Sequence, residues 1–161
     1  MEAPVLSAIS EFFDAVTKLR KLGVIRSDKY LGDLAEYIGK HFYEIELAVS
    51  GRQIGYDGVD KEGTVQVKYH GSRTRTNIDL GDPFQYDNLL VILGPGSLLR
   101  SIAHSEELLV YRMSSATARS HLNQKKGTYS CGKLPFARQP DKVLSFQAAE
   151  IKLVEPDLSD G

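Results

Sequence analysis

An uninterrupted apolar run, Leu-Leu-Val-Ile-Leu at residues 89–93, constrains the fold of this chain most strongly. Asp87-Asn88 precedes it and Gly94-Pro95-Gly96 follows it, so its length is that of a single strand. A strand that is apolar on both faces is buried on both faces. We therefore predict an α/β fold in which helices cover both sides of a sheet.

The composition is that of one soluble globular domain spanning residues 1–161, with a frayed acidic tail at about residues 155–161. The formal net charge of −1 means that nucleic-acid binding would need a local basic patch. A single cysteine, Cys131, excludes an internal disulfide and favours a reducing compartment. No apolar run approaches a membrane span of about 18 residues. The sequence thus predicts a cytoplasmic protein with no membrane partner.

Two amphipathic helices are predicted before the sheet. Apolar residues recur at helical spacing over residues 4–22, and Gly23 ends that helix. A second helix begins at an N-cap formed by Ser27 and Asp28 and runs to about Phe42. Glu36 lies on its flank, where the pattern alone favours a solvated side chain. Residues 43–49 form an edge strand or the tail of this helix.

A β-hairpin is predicted over residues 53–69. One strand ends near Val59, the turn is Asp60-Lys61-Glu62-Gly63, and the return strand begins at Thr64. A reversal centred on residues 61–63 places Asp57 opposite Lys68. Gln66 and Lys68 are two residues apart, so their side chains lie on one face. An acid, an amide and an amine therefore converge.

These three side chains suit metal-dependent phosphodiester hydrolysis. Asp57 supplies a carboxylate oxygen for Mg²⁺, Gln66 an amide oxygen, and Val67 a backbone carbonyl. Lys68 would hold the attacking water or stabilise charge on the phosphate. The alternative is a surface hairpin in which the three residues meet by chance. Asp60 is the competing acid, although its position favours a role in the turn.

The sequence Tyr56-Asp57, followed by Gln66-Val67-Lys68, resembles the motif of the PD-(D/E)xK, restriction-endonuclease-like nucleases. Gly32-Asp33-Leu34-Ala35-Glu36 resembles the helix that carries a glutamate in that superfamily. The resemblance covers residues 27–93 and extends loosely to residues 108–112. It implies a three-layer α/β/α fold with a central mixed β-sheet. It also implies DNA as substrate, in preference to RNA, and a homodimer.

The resemblance assigns roles to four residues. Asp57, Gln66 and Glu36 would bind Mg²⁺ or Mn²⁺, and Lys68 would be the catalytic lysine. Gln66 stands where the superfamily usually has an acid, which lowers the negative charge available to the metal. A Gln-x-Lys variant occurs in modification-dependent members.

Basic residues form two groups that could contact a phosphate backbone. Arg73 and Arg75 follow Lys68 closely, and residues 113–140 contain several cations but no acid. The second group could equally be an ordinary solvated loop. The nucleic-acid-binding candidates are Arg73, Arg75, Lys125, Lys126, Lys133 and Arg138.

The sequence therefore predicts a Mg²⁺-dependent DNA endonuclease. A catalytically inactive nuclease fold that binds nucleic acid or protein is the first alternative, and Gln66 is the residue that leaves it open. An unrelated α/β interaction domain is the second.

Overall fold

The computed structural model describes residues 2–27, 29–50, 53–101, 107–123, 125, 127–145 and 152–154. Three α-helices and one 3-10 turn, Leu134–Phe136, occur in these ranges together with nine strands. The helices are α1 (Ala3–Lys21), α2 (Tyr30–Tyr43) and α3 (Ser115–Ser120). The strands are β1 (Glu46–Leu47), β2 (Gly58–Asp60), β3 (Gly63–His70), β4 (Ile78–Asp79), β5 (Asn88–Leu93), β6 (Leu108–Ser114), β7 (Ser130–Cys131), β8 (Lys142–Ser145) and β9 (Lys152–Val154).

A mixed sheet of seven strands is the centre of the described structure, in the order β1-β2-β3-β5-β6-β8-β9. Strands β3 and β5 are parallel, and every other neighbouring pair is antiparallel. Strands β4 and β7 form a separate two-stranded sheet. The predicted α/β class with a mixed sheet is thereby confirmed.

Strand β5 is the buried central strand that the apolar run predicts. Its residues 89–93 are fully buried and lie between β3 and β6. Leu89, Val91 and Leu93 point into one hydrophobic cluster, whereas Leu90 and Ile92 point into the other. This alternation follows from the two-residue period of a strand.

The two faces of the sheet are covered differently. Helix α2 covers one face, where Ala35 and Ile38 pack with Val65 and Val67. Among the described residues, the only α-helix on the other face is the six-residue α3, and most of the cover there comes from loops, strand β4 and the 3-10 turn. Those segments contribute Ile78, Leu80, Tyr86, Leu99 and Phe136. The prediction of helices on both faces is thus confirmed fully for one face and only in small part for the other.

Helix α1 forms where the sequence predicts it and ends before Gly23, whose positive φ of 73° suits glycine. Among its apolar side chains whose burial the structure describes, Val5, Leu6 and Phe12 are each about half accessible, and Val16 is buried. Among the helices of the described ranges, none is both long and apolar enough to cross a membrane.

The predicted N-cap of α2 is wrong. The capping position is Lys29, without a side-chain cap, and Asp28 lies outside the described residues. Asp33 in the first turn instead accepts hydrogen bonds from the backbone N–H groups of Arg26 and Ser27. The carboxylate of Asp33 is buried and needs hydrogen-bond donors, which these two N–H groups supply. The same hydrogen bonds hold the segment before α2 against the helix.

The end of α2 resolves the alternatives for residues 43–49. Glu44 adopts the left-handed conformation with φ of 54° and ends the helix. Strand β1 then pairs with β2 at the edge of the sheet. The edge-strand interpretation is confirmed.

Gly39 allows α2 to approach the sheet closely. A Cβ atom at this position would lie 3.0 Å from Ile45 Cδ1 and 3.2 Å from Leu90 Cδ2. We expect Gly39→Val to lower the free energy of unfolding by about 1–3 kcal/mol, because the added methyl groups overpack this interface. Urea unfolding measures the change.

Gly32 provides the matched control within the same helix. A Cβ atom there would meet only Lys29 Cβ, at 3.8 Å. We expect Gly32→Ala to raise the free energy of unfolding by about 0.5–1 kcal/mol, the usual gain in a helix. Equal stability of Gly39→Val and the wild type would show that α2 can move away from the sheet at no cost.

Candidate active site

The β2–β3 hairpin is tighter than predicted. Asp60 pairs with Gly63 and Gly58 with Val65, so the turn contains only Lys61 and Glu62. Asp60 Oδ1 accepts the N–H of Glu62 at 2.8 Å, which confirms its role in the turn. The placement of Asp57 opposite Lys68 is therefore wrong, because the shorter turn shifts the register of the hairpin.

Asp57 instead contacts the two residues before Lys68. Its Oδ2 accepts the Val67 N–H at 2.7 Å and a hydrogen bond from Gln66 Nε2. Burial raises the pKa of Asp57, and the Val67 N–H and then Lys68 oppose that rise. Asp57 is thus a partly buried carboxylate that is held on one oxygen by the strand opposite it.

Glu36 lies close enough to Asp57 for the two carboxylates to repel. Burial raises the pKa of Glu36, the charge of Asp57 raises it further, and a hydrogen bond from Arg26 opposes the rise. The side chain is 21% exposed and forms an ion pair with Arg26 Nη2. Glu36 is therefore not an ordinary solvated helix residue, because it is largely shielded from solvent and paired with Arg26.

Gln66 and Lys68 share one face of β3, as predicted, and the loop after β4 covers them. A Cβ atom at Gly81 would lie 3.6 Å from Gln66 Oε1 and 3.8 Å from Lys68 Cε. Gly81 has a positive φ of 67°, which favours glycine at this close approach. The structure therefore brings Glu36, Asp57, Gln66 and Lys68 into one neighbourhood.

The donor atoms of this neighbourhood are hard oxygens. Glu36 and Asp57 offer carboxylates and Gln66 an amide oxygen, a set that suits Mg²⁺, which is commonly bound through one or two carboxylates and water. Within the described ranges, no cluster of three or more His, Cys, Asp or Glu side chains is arranged so that it could hold a metal ion. The side-chain oxygens that the site offers a metal are therefore the two carboxylates and the Gln66 amide.

Two cations beside the carboxylates are absent from the sequence-based predictions. Arg26 and Lys29 each lower the pKa of Asp57, after the larger effects of burial, Val67 and Lys68. Both precede α2 and lie about 30 residues before Asp57. No spacing rule connects them to the hairpin. A basic residue before a helix that carries a glutamate is the only local signal.

The predicted nucleic-acid-binding residues have different surroundings in the structure. Arg73 and Arg75 are exposed on the loop that follows β3, and Lys125 and Lys133 are exposed farther along the chain. Lys126 lies outside the described residues. Arg138 is engaged instead, because its guanidinium pairs with Asp141 at 2.9 Å. Asp141 lies one residue beyond the acid-free stretch of residues 113–140, which we call the basic segment. The charge pattern of that segment therefore does not reveal this ion pair.

The basic segment is connected to the candidate site through the two-stranded sheet of β4 and β7. Ile78 pairs with Cys131 and Asp79 with Ser130, and the Leu80 N–H donates to the Tyr129 carbonyl at 2.7 Å. Gly81, which covers Gln66 and Lys68, follows directly. The segment with Tyr129 is therefore attached to the loop that covers the site.

His70, the next residue on this face of β3, has a structural environment. It is buried, and its Nδ1 lies 2.7 Å from Ser97 Oγ. Burial, followed by the charge of Arg75, lowers the pKa of His70. His70 is therefore part of the buried framework beside the candidate site.

No protein-family model matches the chain, and no curated protein matches it. The resemblance to PD-(D/E)xK nucleases therefore depends on the motif residues and on the arrangement described above.

Because folding raises the pKa values of Glu36 and Asp57, we expect the stability of the fold to depend on pH. A bound divalent cation should reduce that dependence. The folded state raises the pKa of Glu36 and Asp57 above ordinary values of 4.5 and 3.8, so it holds these protons more tightly than the unfolded state. Stability is therefore greatest below the ordinary values and falls as pH rises through the raised ones.

We expect Mg²⁺ to increase the melting temperature more at pH 7 than at pH 5, because only ionised carboxylates bind it. Thermal melts at both pH values, with and without Mg²⁺, measure the effect. The double variant Glu36→Gln/Asp57→Asn should show none of it. An equal Mg²⁺ effect on this variant would place the cation elsewhere.

Proposed function

We propose that the protein is a Mg²⁺-dependent nuclease of the PD-(D/E)xK type, which hydrolyses phosphodiester bonds of DNA on a restriction-endonuclease-like fold. The observation that carries the proposal is the convergence of Glu36 and Asp57 beside Gln66 and Lys68. A helix and a hairpin far apart in sequence supply these groups, and their oxygens and amine are those that metal-assisted hydrolysis uses.

Each residue of the site has a role in this proposal. Glu36, Asp57 and Gln66 would hold Mg²⁺ or Mn²⁺, which when bound lowers the pKa of water and polarises a phosphoryl oxygen. Lys68 positions the attacking water and stabilises the negative charge that develops on the phosphate. Its position two residues after Gln66 on the same strand face keeps the amine beside the oxygen donors.

Cations around the site would hold the DNA backbone. Arg26 and Lys29 lie beside Asp57, while Arg73 and Arg75 follow the strand that carries Lys68. Phosphate contacts of this kind bind DNA without sequence preference and weaken with salt. The basic segment around Tyr129, attached through β7, could extend this surface.

The alternative function, a nuclease fold that binds without cleaving, has one specific observation in its favour. Both carboxylates have protein partners already: Gln66 and Val67 donate to Asp57, and Arg26 pairs with Glu36. These contacts stabilise the carboxylates without a metal.

Cleavage assays separate the two functions. The purified protein is incubated with single-stranded, duplex and branched DNA and with RNA, in Mg²⁺, Mn²⁺ or EDTA. We expect DNA cleavage that requires the metal and stops in EDTA. Salt-dependent DNA binding without cleavage of any of these nucleic acids would support the alternative and contradict nuclease activity.

A further inference from the structure

Helix α1 is exposed over most of its length. Every residue from 2 to 15 whose burial the structure describes is exposed to solvent, and Val16 is the first that is buried. The helix meets the rest of the chain in its second half, where the Phe12 ring meets the Tyr30 ring edge-on and the Leu19 carbonyl accepts the N–H of Val24 at 2.9 Å. The first half of α1 is therefore surrounded largely by solvent.

This exposed half nevertheless carries part of an apolar stripe. Apolar residues occur at positions 5, 9, 12, 16 and 19, and these alternating steps of four and three residues keep them on one face of a helix. Val5 and Phe12 on this face, and Leu6 at its edge, are 46%, 49% and 54% accessible. Among the residues that the structure describes, none from α1 belongs to either hydrophobic cluster of the sheet. The spacing is that of a helix that packs on another helix, and the core around the sheet does not cover it.

The apolar stripe needs a cover for this helix to be stable. Isolated helices shorter than about 12–15 residues are marginal in water, and helices in proteins are stabilised mostly by the packing of an apolar face. The part of α1 that precedes the buried Val16 spans only residues 3–15. A surface that packs against the stripe would therefore stabilise the helix as well as shield its apolar side chains.

The charges of α1 make a second copy of the same helix its complement. Residues 2–14 contain three acids and no lysine or arginine, whereas residues 18–21 contain three cations and no acid. Two such helices in antiparallel directions place the acidic part of each beside the basic part of the other, and their macrodipoles favour the same direction. A parallel pair would bring like charges together. The helix is therefore electrostatically self-complementary in one direction only.

Glu2 and Arg20 bring this complementarity to the edge of the stripe. They are separated by about five helical turns, so they lie on the same side of α1, next to the apolar positions. The Arg20 guanidinium lies over the Tyr30 ring, 5.8 Å from its centroid, which holds it at this edge. An antiparallel copy centred near residue 11 places Glu2 beside the Arg20 of the second copy, and twofold symmetry repeats the pair.

We propose that α1 is a homodimer interface, in which the apolar stripes of two copies pack against each other in antiparallel directions. The twofold axis passes near Phe12, and Val5 and Leu6 of each copy are covered by the other. A helix of 19 residues is about 28 Å long and buries less than the roughly 800 Å² per partner of a standard interface. We therefore expect a dissociation constant in the micromolar range. The interface uses no residue of the candidate active site, so it does not depend on the proposed nuclease function.

Sedimentation velocity of the full chain over a range of micromolar concentrations tests the interface. We expect the wild type to change from monomer to dimer over this range. Val5→Lys should weaken dimerisation at least tenfold, because the substitution occurs twice in each dimer and replaces buried apolar surface by charge. Ser10→Lys, at an exposed position on the other side of the helix, is the matched control and should dimerise as the wild type. Circular dichroism shows that both variants fold.

Disulfide cross-linking tests the direction of the pair. The double variant Glu2→Cys/Arg20→Cys should form a covalent dimer on mild oxidation, whereas Glu2→Cys alone should not, because its two cysteines lie at opposite ends of an antiparallel pair. Cys131 is buried and burial raises the pKa of its thiol to about 12, so it does not compete.

A wild type that stays monomeric at every concentration, or a dimer that Val5→Lys leaves intact, would overturn the α1 interface. Rapid cross-linking of Glu2→Cys alone would overturn the antiparallel arrangement. These outcomes are read without DNA, so failure of the dimer and failure of the nuclease are distinguishable.

Discussion

Replacing Asp57 with asparagine should lower metal-dependent DNA cleavage by about a hundredfold to a thousandfold, because it removes one of the two carboxylates that would hold the metal, and losing one source of transition-state stabilisation has effects of about this size. Asp57 is the acid that contacts Gln66 and Val67 and that repels Glu36. Asparagine has almost the same shape and can still accept the Val67 N–H. The fold should therefore persist, and gel-based cleavage with purified variants measures the loss.

Asp60→Asn is the matched control, because Asp60 is the competing acid on the same hairpin. Asp60 belongs to the turn and to an ion pair with Arg112 at 2.8 Å. We expect this variant to melt at a lower temperature and yet to cleave DNA at temperatures below its melting point. Retained cleavage in Asp57→Asn, together with loss in Asp60→Asn, would reverse the assignment of the acid.

The second large effect is expected from Gln66→Glu, which should make the stability of the fold depend on Mg²⁺. Gln66 is only 8% exposed and donates to Asp57. A glutamate there removes that donor and places a third carboxylate beside Asp57 and Glu36. Because a buried charge without compensation is strongly destabilising, we expect the free energy of unfolding without metal to fall by about 3 kcal/mol.

Bound Mg²⁺ should restore most of this loss. A cation at about 100 times its dissociation constant contributes about 2.7 kcal/mol to the stability of the state that binds it. The third carboxylate should also tighten Mg²⁺ binding relative to the wild type. Urea unfolding with and without Mg²⁺ measures the first effect, and isothermal titration calorimetry the second.

Gln66→Met separates the two causes. Methionine removes the donor to Asp57 but adds no charge, so we expect a smaller loss of stability that Mg²⁺ does not repair. If Gln66→Glu unfolds identically with and without Mg²⁺, the side chain at position 66 is not part of a metal site. The Gln-x-Lys arrangement would then favour the non-catalytic alternative.

Local patterns predicted the elements of the fold well. The apolar run at residues 89–93 became the central strand, and the Asp-Lys-Glu-Gly sequence became the hairpin turn. Both depend on interactions within a few residues, which sequence spacing expresses directly. The register of the hairpin was less predictable, because a turn shorter by one residue moves the residue opposite Asp57.

The covering of the second face could not be derived in the same way. The strand pattern shows that a face is buried but not by what. Here polar and glycine-containing segments, including β4 and the 3-10 turn, supply single apolar residues such as Leu80 and Phe136. Their apolar positions have no period, so no helical or strand pattern reveals them.

By itself, the sequence determined the central buried strand, the hairpin that presents Gln66 and Lys68 on one face, and the turn role of Asp60, because each depends on neighbours in the chain. Only the tertiary structure decided that Glu36 lies beside Asp57 and that Arg26 pairs with Glu36. These contacts join segments 10 to 30 residues apart, and their electrostatic energies depend on separation and burial in space.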